Sequence, residues 1–241
     1  MKSAIVSDVH SNLESLTAVF EMLAPENNLL CLGDIVGYGP NPNECVQMIR
    51  ERATATVLGN HDVAVIDGFG IEYFNPAARK AMEWTQTVIT EENRQWLNGL
   101  SYEVRVPEYL MVHGAPVNYF EYILDKAGAA RAFSSTDAPL IFVGHTHIAE
   151  YYALDPEGTI SHEHMQRGGE LKMRDNCRYL VNCGSIGQPR DLNPQAAFAL
   201  YDSEDRTISF KRYEYEIPAV QEKIRSAALP AMLASRLEVG R

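Results

Sequence analysis

The chain has 241 residues, 46% of them hydrophobic, enough for one sizeable core, and no linker, fixed-period repeat or low-complexity block divides it, so a single domain over residues 1–241 is expected. With 32 acidic against 21 basic residues the formal net charge is −11, which repels polyanions and argues against long nucleic acid as a partner. The four cysteines form no C-x-x-C pair, the N-terminus meets Asp8 and His10 before any signal-peptide core, and no run reaches the ~18 apolar residues of a bilayer span, so a cytoplasmic protein without membrane contact is expected.

Ala4-Ile5-Val6 is short, apolar and partly β-branched, which predicts a buried strand. Leu13, Leu16, Val19, Phe20 and Leu23 then share one helical face, with Ser11 or Asn12 as N-cap and Pro25 past the end. Leu29–Leu32 is a second strand, and Asn41-Pro42 opens a helix that carries Cys45, Val46 and Ile49. Thr56–Leu58 is a third strand. Residues 75–99 form two helices, opened by Asn75-Pro76 and by Thr90 with Glu91 and Glu92 in the first turn. Tyr109–Val112 and Leu140–Val143 are further strands, with a helix around 121–132 between them. From about Glu150 the segments 151–154, 159–165, 179–182, 197–201 and 207–213 predict a largely antiparallel sheet with turns at Asp155-Pro156-Glu157-Gly158 and Gly168-Gly169. The tail from Pro218 has helical spacing and is divided by Pro230. Strand-helix alternation followed by strands fits an α/β fold of two stacked sheets with helices outside.

Five of these apolar strands end in a residue that can bind a metal. Val6 is followed by Ser7-Asp8-Val9-His10, Leu32 by Gly33-Asp34, Leu58 by Gly59-Asn60-His61-Asp62, Val112 by His113, and Val143 by Gly144-His145-Thr146-His147. A lone His or Gly-Asp pair after a strand is usually a turn or surface residue, but five repetitions point to one crevice at the carboxyl ends of parallel strands. Carboxylate, amide and imidazole donors without a thiolate suit Mn, Fe or Zn ions. Asp8, His10, Asp34, Asn60, His113, His145 and His147 exceed the four donors of a closed structural zinc site, and fit two ions that share one carboxylate.

As a set, Asp8-x-His10, Gly33-Asp34, Gly59-Asn60-His61-Asp62, His113 and Gly144-His145-Thr146-His147 resemble the five motif blocks of the calcineurin-like metallophosphoesterase superfamily. The resemblance implies a four-layer α-β-β-α sandwich, two mixed sheets flanked by helices, with a dinuclear site where the sheets meet. It also implies that Asp8, His10 and His147 hold one divalent or trivalent transition metal ion, that Asn60, His113 and His145 hold a second, and that Asp34 bridges them. His61 then stands in the place of the catalytic histidine and Asp62 in that of its orienting carboxylate. Tyr38 occupies the position of an Arg found in protein Ser/Thr phosphatases and the third block ends in Asp62 rather than Glu, so the chain looks closer to the compact prokaryotic phosphodiesterase-like branch. The late stretch Asn182-Cys183-Gly184-Ser185-Ile186-Gly187-Gln188-Pro189-Arg190 resembles a segment of that branch, with Gly-Ser-x-Gly-x-Pro-Arg as its marker.

The expected function is hydrolysis of a small soluble phosphate ester, a phosphodiester or nucleotide, by in-line attack of hydroxide held between the two ions, with protonated His61 serving the leaving oxygen and Asp62 fixing its tautomer. Arg190 is the candidate phosphate contact, because guanidinium matches phosphate bidentately. Tyr38 and Tyr119 are candidates for stacking on a base or forming the rim, although ordinary packing is the commoner role of a single tyrosine. His162 and His164 read as a solvated strand edge. Two other readings are an asymmetrical diadenosine tetraphosphate hydrolase and a non-catalytic scaffold of the same fold, as in the retromer subunit that resembles these enzymes. A scaffold would be expected to lack some of the residues that are present here.

Overall fold

The structure, a computed structural model, describes residues 2–25 and 27–241. Strands and helices first alternate: β1 (Lys2–Val6), α1 (Leu13–Met22), β2 (Asn28–Cys31), α2 (Pro42–Arg52), β3 (Ala55–Thr56), then α3 (Asn60–Asp67), α4 (Pro76–Val88) and α5 (Glu91–Asn98). There follow β4 (Glu103–Arg105), β5 (Leu110–Val112), α6 (Lys126–Ser135) and β6 (Leu140–Val143). Next come β7 (Ala149–Leu154), β8 (Ile160–His164), β9 (Gly169–Lys172), β10 (Arg178–Cys183), β11 (Ala196–Asp202) and β12 (Thr207–Tyr213). The helices α7 (Ile217–Ser226) and α8 (Ala231–Ser235) follow, and a short 3-10 helix, Arg236–Glu238, closes the order. Among the described residues, no helix is long and apolar enough to cross a membrane.

The strands form two mixed six-stranded sheets, ordered β3-β2-β1-β11-β12-β9 and β4-β5-β6-β10-β7-β8. In the first, β1 and β2 and then β2 and β3 run parallel, while β11 lies antiparallel to β1. In the second, β5, β6 and β10 run parallel. Burial on both faces explains why these strands read as continuous apolar runs. In β1, Ala4 and Val6 face the outer core under α1 and α2, while Ile5 joins Leu30, Phe142, Val181 and Phe210 between the sheets. In β6, Leu140 and Phe142 face that central core, and Ile141 and Val143 pack with Ala129 and Phe133 of α6. Helices, sheet, sheet and helix are thus the four layers, in agreement with the expected α-β-β-α sandwich.

Several local expectations need correction. The late strands do not make one sheet: β7, β8 and β10 belong to the second sheet, and β9, β11 and β12 to the first. Gly169 is not only a turn residue but opens β9, whose Leu171 is buried between two exposed neighbours. The helix placed around 121–132 begins later, because the Asp125 side chain caps it by accepting from Gly128 N at 2.8 Å, leaving 121–124 as loop. Asn60-His61-Asp62 forms the first turn of α3, a helix that the sequence pattern did not place.

Candidate metal centre

The parallel strands of both sheets deliver their following loops to one place. Five of the seven candidate donors there have left-handed backbone: Asp8 (φ 54°), His10 (47°), Asp34 (52°), His145 (68°) and His147 (60°). Non-glycine residues rarely adopt this region, and strain of this kind gathers at functional sites. At Gly59 the requirement is space, since a Cβ would lie 2.0 Å from Asp34 Oδ1.

Asp8 and Asp34 each have one oxygen pinned and one turned inward. Asp8 Oδ2 accepts from His145 N at 3.1 Å and Asp34 Oδ1 from His61 N at 2.8 Å. Asp8 Oδ1 then lies 3.2 Å from His147 Nε2, and Asp34 Oδ2 lies 3.3 Å from His113 Nε2 and 3.7 Å from His10 Nε2. Three imidazoles are oriented in the same manner: Nδ1 of His10, His113 and His147 donates to the carbonyls of Val36 (3.1 Å), Leu32 (2.8 Å) and Gln188 (2.6 Å). This fixes Nδ1 as the nitrogen that serves the backbone and turns Nε2 of each ring towards the carboxylates. His10 and His147 thereby bring two Nε2 atoms to 3.1 Å from each other, and His113 Nε2 stands 3.0 Å from His145 Nδ1. The donors fall into two groups, Asp8, His10, Asp34 and His147, and Asp34, His113 and His145, with Asp34 common to both.

These residues fit metal ions. Facing lone pairs repel unless a cation lies among them, and Asp8 Oδ1 and Asn60 Oδ1 are buried without a hydrogen-bond partner among the described residues. Burial alone would raise Asp8, yet the neighbouring His147 and His113 hold it below the usual carboxylate range. Burial opposes a charge on His113, but Asp34 and then Asp8 raise it to about 9, so the two acids draw positive charge into the pocket. Burial, and then the charge of His113, takes His145 down to about 3. All four cysteines are free, buried and outside both donor groups.

His61 lies beside the first group, its ring 4.8 Å from that of His10 and 4.5 Å from Phe74. It is not set up to be protonated as expected: burial holds it down to about 4, with Arg190 opposing the pull of Asp34. Asp62 does not orient that ring either. Its Oδ1 accepts from Ile35 N (2.9 Å) and Val36 N (3.2 Å) and its Oδ2 from Gly59 N (3.1 Å), so it is a positioning residue that ties the loop after β2 to the start of α3. Burial, and next the Asp34 charge, push it up to about 7.

Tyr38 is buried rather than on the rim, with its ring against His10 and His61 and the guanidinium groups of Arg190 and Arg236 over it at 5.7 and 6.0 Å. It has no free face for a base. Arg190 does reach the site, held by Gln188 Oε1 (3.1 Å) and the Tyr38 hydroxyl (3.3 Å), and its Nε is unpartnered among the described residues. Tyr119 instead stacks on Tyr102 and donates to Glu103 at 3.2 Å. His162 and His164 are more than a solvated edge: both contact the buried Glu150 carboxylate, at 2.7 and 3.2 Å.

Sequence reasoning missed four residues. Tyr122 stacks on His145 at 3.8 Å, Arg236 covers Tyr38, Gln188 fixes His147, and the Asn182 amide donates to Gly144 O (2.7 Å) and Thr146 Oγ1 (2.9 Å). Asn182 and Gln188 had a signal, since both stand in the late stretch 182–190, and Asn182 is also a polar residue inside the apolar run 179–183.

The model of the calcineurin-like phosphoesterase superfamily domain matches residues 1–206. The chain belongs to this superfamily of metal-dependent phosphoesterases. It is 38% identical to the uncharacterized protein MJ0912 of Methanocaldococcus jannaschii, over 99% of this chain and 98% of that protein. A crystal structure of a metallophosphoesterase from Sphaerobacter thermophilus is similar with a TM-score of 0.91 at 38% identity, covering 100% of both chains. The hypothetical protein PH1004 from Pyrococcus horikoshii OT3 shares the fold, with a TM-score of 0.79 at 21% identity over 100% of this chain and 98% of that one.

Proposed function

We propose that the chain is a dinuclear metal-dependent phosphoesterase that hydrolyses a small phosphate ester, either a phosphodiester or a nucleotide. The observation that carries this reading is the shared carboxylate: Asp34 belongs to both donor groups, and its oxygens are divided between a backbone amide and the pocket. Asp8, His10 and His147 would hold one ion and Asn60, His113 and His145 the other, with Asp34 between. The donor chemistry suits Mn, Fe or Zn. When bound, such ions supply Lewis acidity that polarises a phosphoryl oxygen and makes water a nucleophile near neutral pH.

The chain's own residues do the rest. His61 is neutral in the free protein; the negative charge of a bound phosphoryl group favours its protonation before the bond breaks, and the imidazolium then gives its proton to the oxygen of the departing alcohol and returns to the neutral form. Arg190, whose guanidinium is held through Nη2 alone by Gln188 and Tyr38, binds a non-reacting phosphoryl oxygen. Asp62 keeps Asp34 and His61 in register through the backbone on either side.

Plasma mass spectrometry on protein purified without added metal, together with turnover of bis-p-nitrophenyl phosphate, p-nitrophenyl phosphate and dinucleotide polyphosphates in Mn²⁺, tests the reading. His61→Ala should lower kcat by about 10²–10⁴ and keep its metal. Asp34→Asn should lose metal and turnover together. Fewer than two ions per chain in the active protein, or full turnover by Asp34→Asn, overturns the dinuclear assignment. Diadenosine tetraphosphate as the dominant substrate would favour an asymmetrical dinucleotide hydrolase.

A further inference from the structure

The loops flanking the donors carry rings that the fold does not use. Phe69 is 67% exposed, Tyr73 86% and Tyr122 46%, although large apolar rings in water mark a binding surface when they adjoin one another. Together with Phe74 and Phe120 they line a cavity of about 390 Å³, within the range of roughly 300–1,000 Å³ typical of small-molecule sites. Asn60 and His145 form part of the same wall. Contact between the aromatic wall and the candidate centre is direct. The Tyr122 ring lies on His145 at 3.8 Å with 23° between the planes, and the Phe74 ring lies on His61 at 4.5 Å with 31°.

Two separate segments build this wall, the stretch between α3 and α4 and the loop after β5. In the first, Gly68 and Gly70 adopt left-handed backbone (φ 82° and 78°) on either side of Phe69, and a Cβ at Gly70 would meet nothing within 4 Å. Crowding does not demand that glycine; the turn that presents Phe69 does. In the second, Asn118 adds an amide to the lining, a group able to pair with the polar edge of a heterocycle.

We propose that this cavity seats a nucleobase, so that the ester hydrolysed is that of a nucleotide whose phosphoryl group lies at the Asp34 pocket. This rests on the phosphoesterase reading given above. Flat rings on several sides suit a planar, π-faced group rather than a sugar or polyol, and stacking on aromatic side chains tolerates any base. A chain of net charge −11 repels the polyanion of a long strand, which leaves small nucleotide esters as the class.

The test compares adenosine 5′-(methyl phosphate) with glycerol 3-(methyl phosphate), followed by ³¹P NMR in Mn²⁺, in the wild type and in Phe69→Ala and Tyr73→Ala, which change exposed side chains. The wild type should prefer the adenosine ester by at least about tenfold in kcat/KM, through KM, and each variant should reduce that preference by about tenfold, the worth of one stacking contact. Equal kcat/KM for the two esters in the wild type, or a preference unchanged in both variants, overturns the proposal; so does faster turnover of a long-chain alkyl diester, which would give the cavity to a lipid tail. A second readout needs no turnover: saturation-transfer NMR should show adenosine binding that weakens about tenfold in Phe69→Ala. If no ester is hydrolysed while that binding is present and sensitive to Phe69, the cavity assignment stands and the catalytic reading fails. If esters are hydrolysed while adenosine does not bind, the opposite holds.

Discussion

Gly37 has a φ of +88°, and a Cβ added there would stand 2.2 Å from His61 Nδ1. No L side chain satisfies both constraints without moving the imidazole. Gly37→Ala should therefore lower kcat by at least about tenfold, since a displacement of the order of 1 Å is costly in a catalytic group, while metal content measured by plasma mass spectrometry stays at the wild-type value. Loss of metal in that variant would mean that the loop after β2, rather than His61, was disturbed. Arg190 makes a different prediction. Its guanidinium is held by Gln188 and Tyr38 through Nη2 alone. Arg190→Ala should raise KM for a phosphate ester by roughly tenfold or more, the worth of a charge-assisted hydrogen bond, and Arg190→Lys should recover only part of it because a point charge lacks the planar fork. Steady-state kinetics that show full recovery by lysine would reduce Arg190 to a source of field.

In the β7–β8 hairpin, Glu150 pairs directly with His164, while His162 lies diagonally across and stacks on Tyr152 at 4.2 Å. Burial raises the Glu150 carboxyl to about 7, against the favourable charge of His164. Its folded value thus lies above the ordinary 4.5, so the native hairpin keeps a proton that the unfolded chain releases. By linkage, stability from this group is intact below about pH 4.5 and is lost as pH rises towards 7, by roughly 2–3 kcal/mol in all. Glu150→Gln keeps the shape without the charge. Urea unfolding should find it within about 0.5 kcal/mol of wild type at pH 5 and about 2 kcal/mol more stable at pH 8; a gap that does not widen with pH would contradict the assignment. The same hairpin shows how far local pattern carries. His162 and His164 read as an exposed edge because the carboxylate they contact arrives from another strand. The seven candidate donors stand out in the sequence because each follows an apolar run. By contrast the start of α3 was hidden, since Asn60-His61-Asp62 at a helix N-terminus has the composition of a turn, and β9 was hidden because Leu171 is its only apolar side chain. Tyr122 gave no signal, because the helix that seemed to contain it begins after Asp125.

Asp8, His10, Asp34 and Asn60 follow strands of the first sheet, while His113, His145 and His147 follow strands of the second. Any ion held among them fastens one sheet to the other. Ions that bind the folded chain alone stabilise it by mass action, so Mn²⁺ or Zn²⁺ at about a hundredfold over its dissociation constant should contribute about 3 kcal/mol and raise Tm by roughly 5–10 °C. A chelator should reverse the rise, and Asp34→Asn should abolish most of it. A scan that shows the same rise in Asp34→Asn would move the binding elsewhere. Which late strand joins which sheet was not legible, because β1 pairs with β11 across the register Lys2↔Asp202 and nothing local encodes so long a connection.

That register bears on the order of events during synthesis. All seven donors have been made once His147 leaves the ribosome, yet one flank of β1 waits for β11, and the ring of His147 waits for the Gln188 carbonyl that steadies it. Capture of any metal ion in this pocket is thereby tied to completion of the sheet, so a nascent chain halted before residue 188 has every candidate ligand and no finished grip.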